Sequence, residues 1–303
     1  MTRAAVFAYS ETGHECLGAL FELGAEVVLV ATHSDAPGEE IWFPSVAELA
    51  RSRGIEPFLF DRAPDAAAVE RVRKAAPDLV FSFYFRHLLP EELLRIPRLG
   101  AFNLHGSLLP KYRGRAPVNW AVLRGETETG ATLHEMTSKA DAGPIVDQET
   151  VAIGPDETAF EVQERVTQAG VKILRRRWRE LAAGTAPRRP QEESEATTVP
   201  RRTAEDGRID WTRSAQDVHD LVRAVTHPYP GAFTDIFGGR TLVWRTRLPH
   251  LGAHDNFPGQ IRAEEGRLYV ACGDDRYVEI LRIQREGQNE IDARHFLSQA
   301  VSP

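Results

Sequence analysis

Cysteine is almost missing from this 303-residue chain: only Cys16 and Cys272 occur. They are far apart and lack CxxC spacing, which excludes a disulfide framework and a cysteine-based zinc cluster. Both are expected to be buried or inert. No stretch approaches the roughly 20 apolar residues of a membrane span, so no membrane insertion is expected. The opening "MTRAAVFAYS" enters a strand-like run without the longer apolar segment and small-residue cleavage site of a secretory signal. That predicts a cytoplasmic location. Positive charge is in the minority, 37 Lys and Arg against 44 Asp and Glu, for a net charge of −7 and a pI near 5.9. This balance disfavours nucleic acid as partner and favours a small-molecule substrate. The first strand–helix turn, "YSETGHEC", holds a single glycine, so the dinucleotide fingerprint is missing and NAD binding is disfavoured. His14, His33, His134 and His219 have no partner at metal-ligand spacing and read as structural or surface histidines; no metal is expected. Internal repeats and low-complexity tracts are also missing.

What is present is the composition of a soluble globular protein, 42% hydrophobic and 27% charged. The length suits one large domain with an appendage, or two domains. "AAVFAY", "EVVLVATH", "PFLF" and "DLVFSF" read as strands, with "SVAELARSRG" and "PDAAAVERVRKAAP" as helices between them. Such alternation implies right-handed crossovers and a doubly wound, mostly parallel sheet covered on both faces, a Rossmann-like α/β fold. "GAFNLH" continues the strands. A helix "PVNWAVLRG", strands "GATLHEM" and "IVDQETVAI", and a long helix from about Thr158 to Ala183 follow. Polar, Pro-containing sequence then marks a linker at 191–204, dividing a domain at 1–190 from one at 205–303. In the second domain a helical "IDWTRSAQDVHDLVRAV" precedes short strands, which predict a small OB-like β-barrel. "RRRWRE" at Arg175 to Glu180 reads as a solvated helix face.

The residues that point to chemistry are Asn103 and His105. Two apart on a strand, they face one side, and the carboxyl end of a strand in an open parallel sheet is where ligands bind. An amide can donate to a developing oxyanion and an imidazole can move a proton, a pairing suited to addition–elimination at a carbonyl. The loop "GSLLPKYRGRAP" follows, where Arg113 or Arg115 could grip a carboxylate or phosphate and Lys111 reads as solvated charge. In "TSKADAGP", Asp141 could orient an imidazole across the crevice and raise its pKa.

"FNLHGSLLPKYRGRAPVNW", "GETETGATLHEMTSKADAGPIV", "DGRIDWTRSAQDVHDLVRAV" and "PYPGAF" together resemble the 10-formyltetrahydrofolate-dependent formyltransferases. Their shared pattern is Asn-x-His, an SLLP loop and a later Asp in a D-x-G turn. The likeness covers nearly the whole chain. "VFAY", "THSDAPGE" at Thr32 to Glu39, "FSFYFRHLL" at Phe81 to Leu89 and "HGSLLPKYRGRAP" look most like the formyltransferase half of the bifunctional polymyxin-resistance enzyme of lipid A modification. That half formylates the 4-amine of UDP-4-amino-4-deoxy-L-arabinose. Its decarboxylase half is not expected within these 303 residues. The resemblance implies His105 as general acid/base, Asn103 as stabiliser of the tetrahedral intermediate and Asp141 as the group that orients His105. It implies contacts to 10-formyltetrahydrofolate from His87, Leu88, Leu89, Arg115, Thr137, Ser138, Lys139, Ala140 and Asp141. A nucleotide-linked amino sugar and a reduced folate are the implied partners, another nucleotide-linked amino sugar or methionyl-tRNA the alternative acceptors. No oligomeric state is read from the sequence.

Overall fold

A computed structural model of the chain describes residues 1–34, 41–60, 63–252 and 255–300. Residues 35–39 of the "THSDAPGE" stretch lie outside the described residues. The chain forms two compact units. The first comprises Met1–Pro117, Glu128–Ala152 and Gln163–Pro200, the second Val118–Thr127, Ile153–Val162 and Arg201–Pro303.

The elements of the first half are β1 (Arg3–Ala8), α1 (Ser10–Glu22), β2 (Glu26–His33), α2 (Val46–Ser52), β3 (Phe58–Phe60), α3 (Ala66–Ala75), β4 (Leu79–Phe83), α4 (Glu91–Leu94) and β5 (Gly100–His105). Then come β6 (Arg113–Gly114), α5 (Pro117–Leu123), β7 (Glu128–Glu135), β8 (Ile145–Ala152), α6 (Ala159–Ala183) and β9 (Thr198–Val199). A seven-stranded sheet of the first unit has the order β3-β2-β1-β4-β5-β7-β8. Its first five strands are parallel, whereas β7 pairs antiparallel with β5 and β8 antiparallel with β7. β1 and β4 are buried along almost their whole length, which explains their continuous apolar runs. Asp65 caps α3 by accepting from the backbone N–H groups of Ala67 and Ala68. Gly13 lets α1 sit tight against the strand ends, since a Cβ there would lie 3.1 Å from Ala8 and 3.3 Å from the Phe83 carbonyl oxygen. A core of Phe7, Leu29, Phe60, Val69, Val72, Val80 and Leu93 fills one side of the sheet.

The charged stretch of α6 is not merely solvated. Arg176 pairs with Asp147 and Glu149, Arg177 with Asp147, and Arg175 with Glu22. Asp147 and Glu149 both lie on β8, so the arginines tie helix to edge strand.

In the second unit α7 (Ala215–Val225) precedes β10 (Ala232–Thr234), β11 (Thr241–Arg247), β12 (Ile261–Glu264), β13 (Arg267–Ala271), β14 (Tyr277–Arg285), β15 (Ile291–Asp292) and α8 (Ala293–Ala300). The strands form an antiparallel sheet in the order β10-β11-β14-β13-β12, with β15 on β14. Its end strands do not pair with each other, as in a partly open OB-type arrangement. A cavity of about 600 Å³ in this unit is lined by His219, Arg247, Arg267, Tyr269 and Glu279 among others. Cys16 and Cys272 are free and buried; burial pushes the Cys272 thiol up to about 12, so it stays protonated. Among the described residues no helix is long and apolar enough to cross a membrane.

Candidate active site

β5 lies between β4 and β7, with Asn103 in register with Ser82 on one side and His134 on the other. Asn103 and His105 point to the same face, as their spacing requires. The turn after β7 brings Asp141 over that face. Its Oδ1 lies 3.6 Å from His105 Nδ1, 3.6 Å from His134 Nε2 and 3.5 Å from Asn103 Nδ2. Three side chains thus meet around one carboxylate oxygen.

The loop after β5 sets the tautomer of His105. Tyr112 adopts the left-handed region with φ 60°, and its carbonyl oxygen lies 2.8 Å from His105 Nε2. A carbonyl only accepts, so Nε2 carries the ring proton and Nδ1 presents the lone pair. The loop holds this shape through Ser107 Oγ donating to the Lys111 carbonyl at 2.6 Å and Thr132 Oγ1 donating to the Ser107 carbonyl at 2.6 Å. His105 is buried, and burial drives its pKa below the ordinary histidine value, with the His134 ring acting in the same sense. The Asp141 charge and the Tyr112 carbonyl push the other way without prevailing. Asp141 does raise the His105 pKa, as the sequence suggested, but loss of water around the imidazolium outweighs the carboxylate. The His105 imidazole is neutral at neutral pH.

Asp141 is fixed from both ends. Its Oδ2 accepts from the Gly114 backbone N–H at 2.9 Å, and its carbonyl accepts from Gln191 Nε2 at 2.8 Å. Burial works to raise its carboxyl, but the His105 ring and the Gly114 N–H hold it well below the carboxylate range. Asp141 is therefore ionised. The glycine two residues on is obligatory, because a Cβ at Gly143 would stand 1.8 Å from the Glu135 carbonyl oxygen. Gln191 also donates to the Gly143 carbonyl at 2.7 Å, while its Oε1 accepts from Arg113.

The remaining candidates are placed as follows. Arg113 is committed internally: its guanidinium, 4% exposed, donates to Gln191 and Glu193. Its fork grips the Glu193 carboxylate rather than a substrate anion, a correction to the sequence reading, because burial and two acceptors already occupy it. Arg115 Nη2 donates to the Arg86 carbonyl at 2.7 Å, and Lys111 is exposed. His87 lies edge-on to His33, with ring centroids 5.2 Å apart. Leu88 is 71% exposed. The Leu89 side chain is buried in the core beside Val80 and Leu93, which leaves only its backbone for a ligand. In the turn, Thr137 Oγ1 donates to the Lys139 carbonyl, Lys139 pairs with Glu193, and Ser138 and Ala140 are exposed.

Sequence reasoning missed three parts of this arrangement: the Tyr112 carbonyl, Gln191, and His134, which it took as structural or surface. His33 does have a structural role. It stacks on Phe85 with ring centroids 4.2 Å apart and accepts from the Arg86 N–H at 2.9 Å, fixing the start of the His87–Leu89 loop. Among the described residues no group of three or more His, Cys, Asp or Glu could hold a metal ion.

A neutral imidazole with a fixed lone pair, an ionised carboxylate beside it and an amide on the same strand face suit transfer of an acyl group to an amine. Two family models match the chain: formyl transferase over residues 8–177, and formyl transferase C-terminal domain over residues 201–300. Among solved structures, an N-formyltransferase from Helicobacter canadensis in complex with folinic acid and dTDP-3-aminofucose has a TM-score of 0.71 at 17% identity, covering 92% of this chain and 99% of that one. WlaRD, a sugar 3N-formyl transferase solved with dTDP and 5-N-formyl-THF, has a TM-score of 0.70 at 16% identity, covering 95% and 99%. A variant of HypX from Aquifex aeolicus has a TM-score of 0.66 at 18% identity over 99% of this chain and 48% of that one, so the chain spans about half of HypX. Identities this low establish a shared fold. The first model alone takes in more than half of the chain, and with the second following it in order the chain belongs to the formyl transferase family.

Proposed function

We propose that the enzyme transfers the formyl group of 10-formyltetrahydrofolate to the amine of a nucleotide-linked amino sugar, the acceptor being the 4-amine of UDP-4-amino-4-deoxy-L-arabinose. The observation that carries the reaction is the meeting of Asn103, His105 and Asp141 within 3.6 Å, with the His105 lone pair on the side of the carboxylate. The acceptor is argued from the stretches shared with the polymyxin-resistance enzyme, which would place the product in lipid A modification. The exposed Leu88 side chain and the backbone of residues 137–141 fit a flat, hydrogen-bonding ring system such as a reduced pterin.

The neutral amine attacks the formyl carbon, and the carbonyl electrons move onto oxygen, where the Asn103 amide donates a hydrogen bond. His105 Nδ1 accepts the proton released by the amine, and Asp141 faces the resulting N–H. The same proton passes to the departing folate nitrogen as its bond to the formyl carbon breaks. No covalent enzyme intermediate is required.

A panel of UDP- and dTDP-linked amino sugars and charged initiator tRNA, each supplied with 10-formyltetrahydrofolate, tests the acceptor. Formylation of the UDP-linked 4-amino sugar alone is the expected result. Transfer only to a dTDP-linked sugar overturns the acceptor and keeps the reaction, whereas transfer only to tRNA overturns the sugar class.

A further inference from the structure

His134, 1% exposed on β7, is the fourth side chain at the site. Its Nδ1 lies 2.9 Å from the Glu135 carbonyl oxygen. That oxygen only accepts, so Nδ1 carries the ring proton of the neutral ring and Nε2 is an acceptor. Asn103 Nδ2 lies 3.1 Å from Nε2. An acceptor there requires the amide nitrogen, not the amide oxygen, to face it, so the tautomer of His134 settles which way the Asn103 amide is turned.

The geometry also settles what the second N–H does. From Asn103 Nδ2 the distances are 3.1 Å to His134 Nε2 and 3.5 Å to Asp141 Oδ1, and those two acceptors are 3.6 Å apart, so they subtend an angle of about 65°, far less than the roughly 120° between two N–H bonds on a planar nitrogen. One amide cannot serve both acceptors with straight hydrogen bonds. With a straight bond to the closer acceptor, the other N–H points about 55° or more off the Asp141 direction, so the 3.5 Å contact to Asp141 is a strongly bent one.

We propose that His134 is a positioning residue for formyl transfer: by accepting one N–H of Asn103 it turns the other toward the formyl oxygen. This rests on the reading of Asn103 as the donor to that oxygen. Without the acceptor at Nε2, the amide is free to swing toward the charged Asp141 or to turn over and present its oxygen, which repels the developing charge.

The test compares two variants. His134→Leu removes the acceptor, and His134→Gln keeps an oxygen that reaches the place of Nε2. In the Leu variant kcat is expected to fall by about 10- to 100-fold, short of the roughly 10²–10³-fold loss of an oxyanion donor itself, with KM for both substrates little changed. The Gln variant is expected to recover most of kcat. Wild-type kcat in a folded Leu variant overturns the proposal, and so does equal loss in two folded variants. Nitrogen NMR of the histidine-labelled wild-type enzyme at neutral pH supplies a readout independent of turnover and of the variants' folding: a protonated Nδ1 and bare Nε2 on His134 are expected, and a protonated Nε2 overturns the contact. A wild-type enzyme that formylates no acceptor would sink the assigned reaction, while the ring spectrum would still decide the contact.

Discussion

At the residue scale, one proton decides which nitrogen of His105 can work. Tyr112 holds the N–H at Nε2, so in the proposed reaction the base is Nδ1, and the charge that forms there faces Asp141. Two effects on the pH profile follow with opposite signs. Burial lowers the His105 pKa while Asp141 raises it, so the acid limb of kcat/KM in the wild-type enzyme should lie below the ordinary histidine value of about 6.5. Asp141→Asn removes the raising influence and should move that limb further toward acid. It also turns an amide N–H toward the Nδ1 lone pair and occupies the base, so kcat should drop by roughly 10²-fold or more, the usual contribution of a general base. A kcat/KM profile from pH 5 to 8 on both proteins checks this reading; a limb that shifts upward in the variant would show that Asp141 does not act on His105 through its charge.

At the element scale, the Asp141 carboxylate belongs to a turn that is also held from outside. The chain at 137–143 is short and glycine-containing, and it is clasped by the segment that follows α6. Gln191 bonds two of its carbonyls, Arg113 bonds Gln191, and β6 pairs with β9. Gln191→Leu leaves the Asp141 and Gly143 carbonyls and the Arg113 guanidinium each short of a partner, which should cost about 1–3 kcal/mol per buried group. Denaturant unfolding should show that loss, and kcat should fall with it as Asp141 drifts from His105; unchanged stability would mean that the clasp is not structural.

Legibility of the site follows the same scale. Asn103 and His105 were readable because a strand has a period of two, and Asp141 because D-x-G marks a turn. His134 was not readable: it lies 31 residues from Asn103, and its placement depends on β7 running antiparallel beside β5. Apolar alternation shows that a strand exists but says nothing of which strand it joins. Gln191 is 50 residues from Asp141 in a stretch whose polarity and prolines read as a linker, since side-chain bonds to a distant turn leave no periodic trace. The parallel part of the sheet, by contrast, showed itself in the continuous apolar runs of β1 and β4.

At the scale of the whole molecule, histidines buried in a neutral state make stability depend on pH. Besides His105, His219 on α7 has its pKa lowered by burial first, with Arg223 acting in the same sense, against the opposing pull of Asp220, the Pro155 carbonyl and Asp156. Its Nε2 lies 3.3 Å from the Pro155 carbonyl oxygen and its Nδ1 2.9 Å from Thr246 Oγ1, so a neutral ring donates at one nitrogen and accepts at the other. A histidine whose folded pKa is depressed contributes stability that is fully present above the unfolded value of about 6.5. That contribution drains away below it, because the unfolded chain then binds protons that the folded chain refuses. Asp141, also depressed, adds stability that is present above the unfolded carboxyl value near 4 and is lost only in stronger acid. The urea midpoint should therefore fall between pH 7.5 and pH 5.5 through His105 and His219. His219→Gln keeps a donor and an acceptor but cannot titrate, so its midpoint should decline less than that of the wild type over the same interval. Parallel declines in the two proteins would show that His219 takes up its proton as readily in the folded state as in the unfolded one.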